Sequence, residues 1–198
     1  EREDRTGMAH FFEHLLFEGS AHIDRGEFDS YVENAGGILN ANTSQDRTFY
    51  YELLPSNHLE LGLWLESERM LHAKIEQIGI DTQNEVVKEE KRQRNDNQPY
   101  GQLFNETMAH SYSVHPYRWT PIGSMEHLDA ADYDDFMDFY DTFYVPENAT
   151  LSIAGDLDIA TTRDLIEQYF GDIPRGGKEI PRPSVIEPER TAEVRDTV

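Results

Sequence analysis

Hydrophobic residues recur along the chain at two spacings, which predict seven helices, three strands and the beginning of a fourth. Apolar residues three and four apart predict helices over 6–19, 24–35, 55–71, 81–94, 100–111, 128–144 and 158–170. Alternation and strand-favouring residues predict a hairpin of strands 38–44 and 47–54, and a short buried strand over 149–154. This order predicts an α+β domain with a mixed or antiparallel sheet and helices packed mainly on one face.

The first predicted helix is apolar almost all round except for one polar patch. His10, Glu13 and His14 share a face because they are three and four residues apart. The rest of its surface is covered by Phe11, Phe12, Leu15 and Leu16. Imidazoles and a carboxylate are costly to bury unless something pairs with them. Two histidines one turn apart can both bind one Zn²⁺, and the adjacent glutamate can take a proton from water.

A third metal ligand is expected on the helix predicted over 81–94. The chain has no Cys, so any metal must be held by histidine and carboxylate side chains. Val86 and Val87 lie four and three residues before Glu90, which makes Glu90 the inward-pointing acid of this helix. Glu89 is turned away by about 100°, and Glu85 is the weaker alternative.

The charge balance limits the partners. The 198 residues include 39 acidic and 17 basic side chains, a formal net charge of −22. Nucleic acid is therefore excluded as a partner, because phosphate binding needs basic patches. An acidic surface attracts cationic peptides, although solubility explains the charge equally well.

Composition also predicts where the domain ends. Proline and glycine are concentrated between residues 171 and 188, as in a linker. We expect a metal-binding domain over 1–173, followed over 174–198 by a linker and the start of another segment. Residues 191–198 read as the beginning of a strand, so we expect further chain in the natural protein.

Several stretches together resemble one known family. The order H-x-x-E-H reverses the H-E-x-x-H of thermolysin-like enzymes. Residues 9–19, with 86–90 downstream, resemble the signature of the M16, or pitrilysin-type, metallopeptidases, which include bacterial zinc proteases and the mitochondrial processing peptidase. Other matching pieces are Gly36-Gly37 with 40–43, His115-Pro116-Tyr117 with Ile122-Gly123, and 144–149 leading to Gly155-Asp156.

The resemblance implies a site and a partner. It places the third zinc ligand at Glu90 and an extended peptide substrate beside Asn40, Ala41, Asn42 and Thr43. Gln83 stands where the family usually has a second glutamate, so it is expected beside the site. The domain would be one half of a clamshell, closed by a second related domain in the same chain or in a partner subunit.

The function expected from these features is zinc-dependent endopeptidase activity. His10, His14 and Glu90 would hold Zn²⁺, and Glu13 would act as general base on water and then as acid to the leaving amine. The alternative is a non-catalytic scaffold or partner subunit of the same family, although the complete metal motif argues against it. The sequence has no apolar run long enough to predict a transmembrane segment. Its acidic, cysteine-free composition resembles that of the bacterial envelope members of the family more than that of the mitochondrial ones, and this resemblance implies a bacterial periplasm or cell envelope.

Overall fold

The computed structural model describes residues 1–193, 195 and 197, and eight α-helices and two strands lie within them. The elements follow in chain order: α1 Met8–Leu15, α2 Phe28–Asn34, β1 Ile38–Ser44, β2 Arg47–Leu53, α3 Leu59–Leu71, α4 Gln77–Lys91, α5 Leu103–Ser111, α6 Met125–Ala130, α7 Tyr133–Phe143 and α8 Ile159–Phe170. Helices and a small antiparallel sheet thus form the expected α+β fold.

The predicted hairpin is confirmed with almost its predicted bounds. β1 and β2 pair antiparallel, from Ile38 opposite Leu53 to Ser44 opposite Arg47. The side chains of β1 alternate between half-buried and exposed. Leu39, Ala41 and Thr43 face inward, as the period of two in a strand requires. α1 contacts both strands, so one face of the hairpin supports the helix that carries H-x-x-E-H.

The buried core surrounds α1. Its main cluster combines α1 with residues of α4, α6, α7 and the segment before α4: Met8, Phe11, Phe12, Leu15, Leu16, Ile75, Ile80, Val87, Leu128 and Phe136. A second cluster joins α2 to α3 through Ile23, Phe28, Val32 and Leu65. Burying such side chains contributes about 1.5 to 3 kcal/mol each. The apolar sides of α1 are therefore strongly held, and its polar patch is fixed with them.

Two helix predictions are wrong in their boundaries. The helix predicted from Asp81 begins at Gln77, and Asp81 accepts a hydrogen bond from the Gln77 side chain at 2.8 Å instead of capping the helix. The helix predicted over 128–144 is two helices, α6 and α7. Asp132 separates them because its side chain accepts from the Asp135 N–H, while the Asp135 carboxylate accepts from the Asp132 N–H.

The short buried strand predicted over 149–154 is also wrong. This segment has no strand partner in the described part of the chain, and Leu151 is 44% exposed. It lines a broad groove together with residues of β2 and α3. The strand predicted over 191–198 is not seen in 191–193, and Val194, Asp196 and Val198 lie outside the described residues.

Within the described residues, no helix has the length and apolar character needed to cross a membrane. The longest, α4, has 15 residues, whereas a bilayer needs about 20.

Candidate metal centre

The polar patch of α1 is presented by a helix whose other sides are packed into the core. Phe11 and Phe12 are fully buried. The Phe11 ring lies 5.0 Å from that of Phe136, and the Phe12 ring lies 5.0 Å from that of Phe139. These contacts with α7 prevent α1 from rotating about its axis. His10 and His14 are therefore held on the face that turns towards α4, which contacts α1.

The start of α1 is fixed by a close approach of two glycines. Gly7 precedes the helix with a φ of 94°, in the left-handed region that favours glycine. A Cβ added to Gly123 would lie 2.3 Å from the Gly7 nitrogen, so the two backbones can meet only without that side chain. The Ser124 N–H also donates to the Thr6 hydroxyl at 3.1 Å. This explains physically why Ile122-Gly123 accompanies the metal motif.

Glu90 is the acid of α4 that faces the histidines. Its side chain is 15% exposed, whereas that of Glu85 is 72% exposed and pairs with Lys88. Val87 is buried on the same side, as expected. The expectation that Val86 also lies on the inward face is wrong. Val86 is exposed, because α4 buries only a narrow stripe of residues and Val86 lies outside it.

His10, His14 and Glu90 bring three ligand atoms into one small triangle. The two imidazole Nε2 atoms are 3.4 Å apart, and Glu90 Oε2 lies 3.5 Å from that of His10 and 3.2 Å from that of His14. Ligands bound tetrahedrally to zinc at 2.0 to 2.1 Å are separated by about 3.4 Å. The three side chains therefore fit a single zinc ion without rearrangement.

The electrostatics of the trio also suit a cation. Burial lowers the pKa of His10 to about 4, against the opposing effect of Glu90, so its ring is neutral at pH 7. A neutral imidazole is the form that binds a metal. Contact with His14 lowers the pKa of Glu90, with His10 and Arg94 adding to the effect against burial. Glu90 Oε2 is buried without a hydrogen-bond partner among the described residues, which a bound cation would remedy.

Glu13 is oriented by a threonine of the hairpin. Thr43 Oγ1 donates a hydrogen bond to Glu13 Oε2 at 2.5 Å. Sequence reasoning placed Thr43 beside the substrate and did not foresee this contact, since it joins residues 30 positions apart. Asn40 and Asn42 point outward from β1 and Ala41 points inward. The edge of β1 away from β2 has no strand partner in the described part of the chain.

Two further polar residues border the trio. Gln83 lies on α4, and its amide donates to Glu18 Oε1 at 2.5 Å, beyond the end of α1 and four residues after His14. Arg94 Nη1 lies 2.5 Å from Glu90 Oε1, the oxygen turned away from the histidines. Sequence reasoning missed Arg94, although its i, i+4 spacing from Glu90 is a recognisable signal for an ion pair.

The fold and the His-His-Glu cluster define a domain of the metalloprotease class with the H-x-x-E-H order. Residues 1–120 match the family described as Insulinase (Peptidase family M16), and residues 130–197 match the Peptidase M16 inactive domain. The chain belongs to peptidase family M16, which confirms the resemblance drawn from its motifs.

Relatives with names and solved structures agree with this membership. The zinc protease PqqE of Helicobacter pylori is 34% identical over 191 residues, covering 96% of this chain and 43% of that protein. The mitochondrial-processing peptidase subunit beta of Blastocladiella emersonii is 27% identical, covering 89% of this chain and 38% of that protein. A crystal structure of a protease from Helicobacter pylori superposes with a TM-score of 0.89 at 34% identity, over 95% of this chain and 46% of that one. The chain thus spans less than half the length of these relatives.

Proposed function

We propose that this chain is the zinc-binding half of a peptidase that hydrolyses peptides bound in extended form. The observation that carries the proposal is the triangle of ligand atoms in His10, His14 and Glu90, with edges of 3.2 to 3.5 Å. Its two imidazoles and buried carboxylate are a donor set that zinc accepts in catalytic sites. Relatives named as zinc proteases support the choice of metal.

The chemistry divides between the bound metal and the protein. When bound, Zn²⁺ would supply a Lewis acid that polarises the substrate carbonyl and acidifies a water molecule. Glu13 would take the proton of that water and deliver it to the leaving amine. Thr43 occupies Oε2 of Glu13, so we assign the proton transfer to Oε1. Glu90 would complete the ligand set through Oε2, while Arg94 holds its other oxygen.

The substrate would lie along β1. Its free edge offers backbone N–H and C=O groups that an extended peptide can pair with as an added strand. Asn40 and Asn42 would project from the same strand, and Thr43 would link it to the general base. Because the chain spans less than half of its relatives, we propose that a second M16-like domain, in the same chain or a partner subunit, closes over the peptide.

The proposal is tested by separating metal binding from hydrolysis. Glu13→Gln should retain one zinc at this centre and lose peptide hydrolysis by about 10²- to 10⁴-fold, the usual contribution of a general base. Glu90→Gln should lose zinc from this centre, whereas Glu85→Gln, on the same helix but exposed, should keep it. Metal content by elemental analysis and cleavage of a quenched fluorescent peptide measure both effects.

If the chain alone is inactive, the assay must include the proposed second domain. A zinc-loaded chain without hydrolysis should gain activity when a second M16-like domain is added, and a chelator should abolish that activity. Full activity of Glu13→Gln would refute its role. Zinc retention by Glu90→Gln at the wild-type affinity would refute the ligand assignment.

A further inference from the structure

A second cluster of histidines and a carboxylate lies outside the centre described above. Glu68 and His72 are four residues apart at the end of α3, and His22 comes from the connection between α1 and α2. One ligand atom from each of these three side chains lies within 4.8 Å of the others. From this geometry we infer that His22, Glu68 and His72 form a second zinc site.

The cluster repeats the arrangement of the first centre. The rings of His22 and His72 meet edge to face, with centroids 5.1 Å apart and planes at 88°. Those of His10 and His14 meet in the same way, at 4.9 Å and 84°. In both places a carboxylate of low exposure faces the pair of imidazoles. Two imidazoles and one carboxylate are again the donor set that zinc prefers in the absence of thiolates.

Glu68 is already held in position for a cation. Its side chain is only 5% exposed, although it is a carboxylate. Ser20 Oγ donates to Glu68 Oε2 at 2.5 Å, and His22 Nδ1 lies 2.9 Å from Glu68 Oε1. Hydrogen bonds from a second residue commonly orient a metal-ligating carboxylate, so Ser20 fits the role of an orienting group.

The backbone brings the three side chains together independently of any metal. The Ala21 N–H donates to the His72 carbonyl at 2.8 Å, and the Lys74 N–H donates to the Gly19 carbonyl at 3.1 Å. These bonds join the segment after α1 to the segment after α3. The His22 side chain is 60% exposed, so a small rotation of its ring can close the site around an ion.

The ligand set also predicts how the site behaves. Three protein ligands leave a fourth position for water, and the exposure of His22 gives solvent direct access to it. We therefore expect zinc to exchange more readily here than at the first centre. A bound ion would link the segment that leaves α1 to the end of α3, and so stabilise the connection that follows H-x-x-E-H.

A simple ion pair is the competing explanation for the cluster. An ion pair or hydrogen bond between His22 Nδ1 and Glu68 Oε1 accounts for their 2.9 Å contact without any metal. It gives no role to His72, whose ring only touches that of His22 at its edge. The two explanations therefore differ in whether zinc binding depends on His72.

The test counts zinc ions on the purified protein, with Zn²⁺ alone as the probe. Wild type should bind two per chain by isothermal titration and elemental analysis, and His22→Ala and His72→Ala should each bind one. His58→Ala is the matched control and should bind two. It stands immediately before α3 and His72 immediately after it, so the 13 residues of that helix keep them about 20 Å apart. Ser20→Ala should weaken the second ion roughly 10- to 100-fold, as loss of an orienting group does.

A variant without the first centre separates the two proposals. His14→Ala should still bind one zinc, and the double variant His14→Ala/His22→Ala should bind none. Circular dichroism confirms that each variant is folded, and His72→Gln serves if His72→Ala is not. The proposal is overturned if wild type binds a single zinc that His22→Ala retains. It is equally overturned if His72→Ala and His72→Gln bind the second ion as tightly as wild type.

Discussion

Replacing Thr43 by valine tests whether the hairpin positions Glu13, the proposed general base. Valine keeps the shape and strand preference of threonine but cannot donate to Glu13 Oε2. The 2.5 Å contact joins a hydroxyl to a carboxylate, and hydrogen bonds to charged groups contribute about 1.5 to 3 kcal/mol. Losing that orientation in the transition state corresponds to a rate reduction of roughly 10- to 150-fold. We expect the reduction near the lower limit, because Thr43 is only half-buried and water can replace part of the bond.

The assay compares kcat, KM and zinc content for a fluorescent peptide. A positioning role predicts a lower kcat with unchanged zinc, because none of the three metal ligands contacts the Thr43 hydroxyl. Thr43→Ser restores the donor and should recover most of the activity. Thr48→Val is the matched control: its hydroxyl lies 3.3 Å from that of Thr43, on the paired strand. This variant should stay close to wild type.

Two outcomes would refute this reasoning. If Thr43→Val turns over at the wild-type rate, the hydrogen bond does not orient Glu13 during catalysis. If Thr43→Val loses zinc together with activity, Thr43 supports the metal centre as a whole and does not act specifically by orienting Glu13. An increase in KM alone would instead assign Thr43 to substrate binding, the role first expected for 40–43.

Two further predictions concern stability, and both are measured by urea unfolding. Burial, reinforced by the nearby charge of Glu66, raises the pKa of Glu52 from 4.5 to about 8. Between these two pH values the folded protein keeps a proton that the unfolded chain releases. The free energy of unfolding should therefore fall as the pH rises from 4.5 to 8. The free energy of unfolding of Glu52→Gln should therefore equal that of wild type at pH 4 and exceed it at pH 8 by up to about 5 kcal/mol. Equal free energies at pH 8 would contradict the burial argument. Phe12→Ala removes a fully buried ring from contact with Phe139 and should cost about 3 to 5 kcal/mol. Phe104→Ala is the control at an exposed position, and it should cost less than about 1 kcal/mol. If it destabilised the protein as much as Phe12→Ala does, the loss at Phe12 could not be attributed to its buried ring contacts.

The candidate metal ligands could be selected from the sequence because their signal is local to two helices. The spacing of His10 and His14 fixes a shared face, and the buried Val87 orients Glu90. That the two helices meet at these faces is a property of the packing, and here it was supplied by resemblance to the family. The contact of Thr43 with Glu13 and the meeting of His22 with His72 carry no such local signal, since each joins segments far apart in the chain.

The unpaired segment over 149–154 shows where a local pattern stops being informative. Its run of Thr150, Leu151, Ser152 and Ile153 is typical of a buried strand, yet a strand exists only if another one supplies hydrogen bonds. Within the described residues none does, and β2 also leaves one edge unpaired along the same groove. The prediction of the hairpin over 38–53 was correct because only two residues separate each strand from its partner. Strand formation over 149–154 depends instead on a partner strand that the local sequence cannot supply. The residues therefore have a strand preference, but the strand predicted from it does not form.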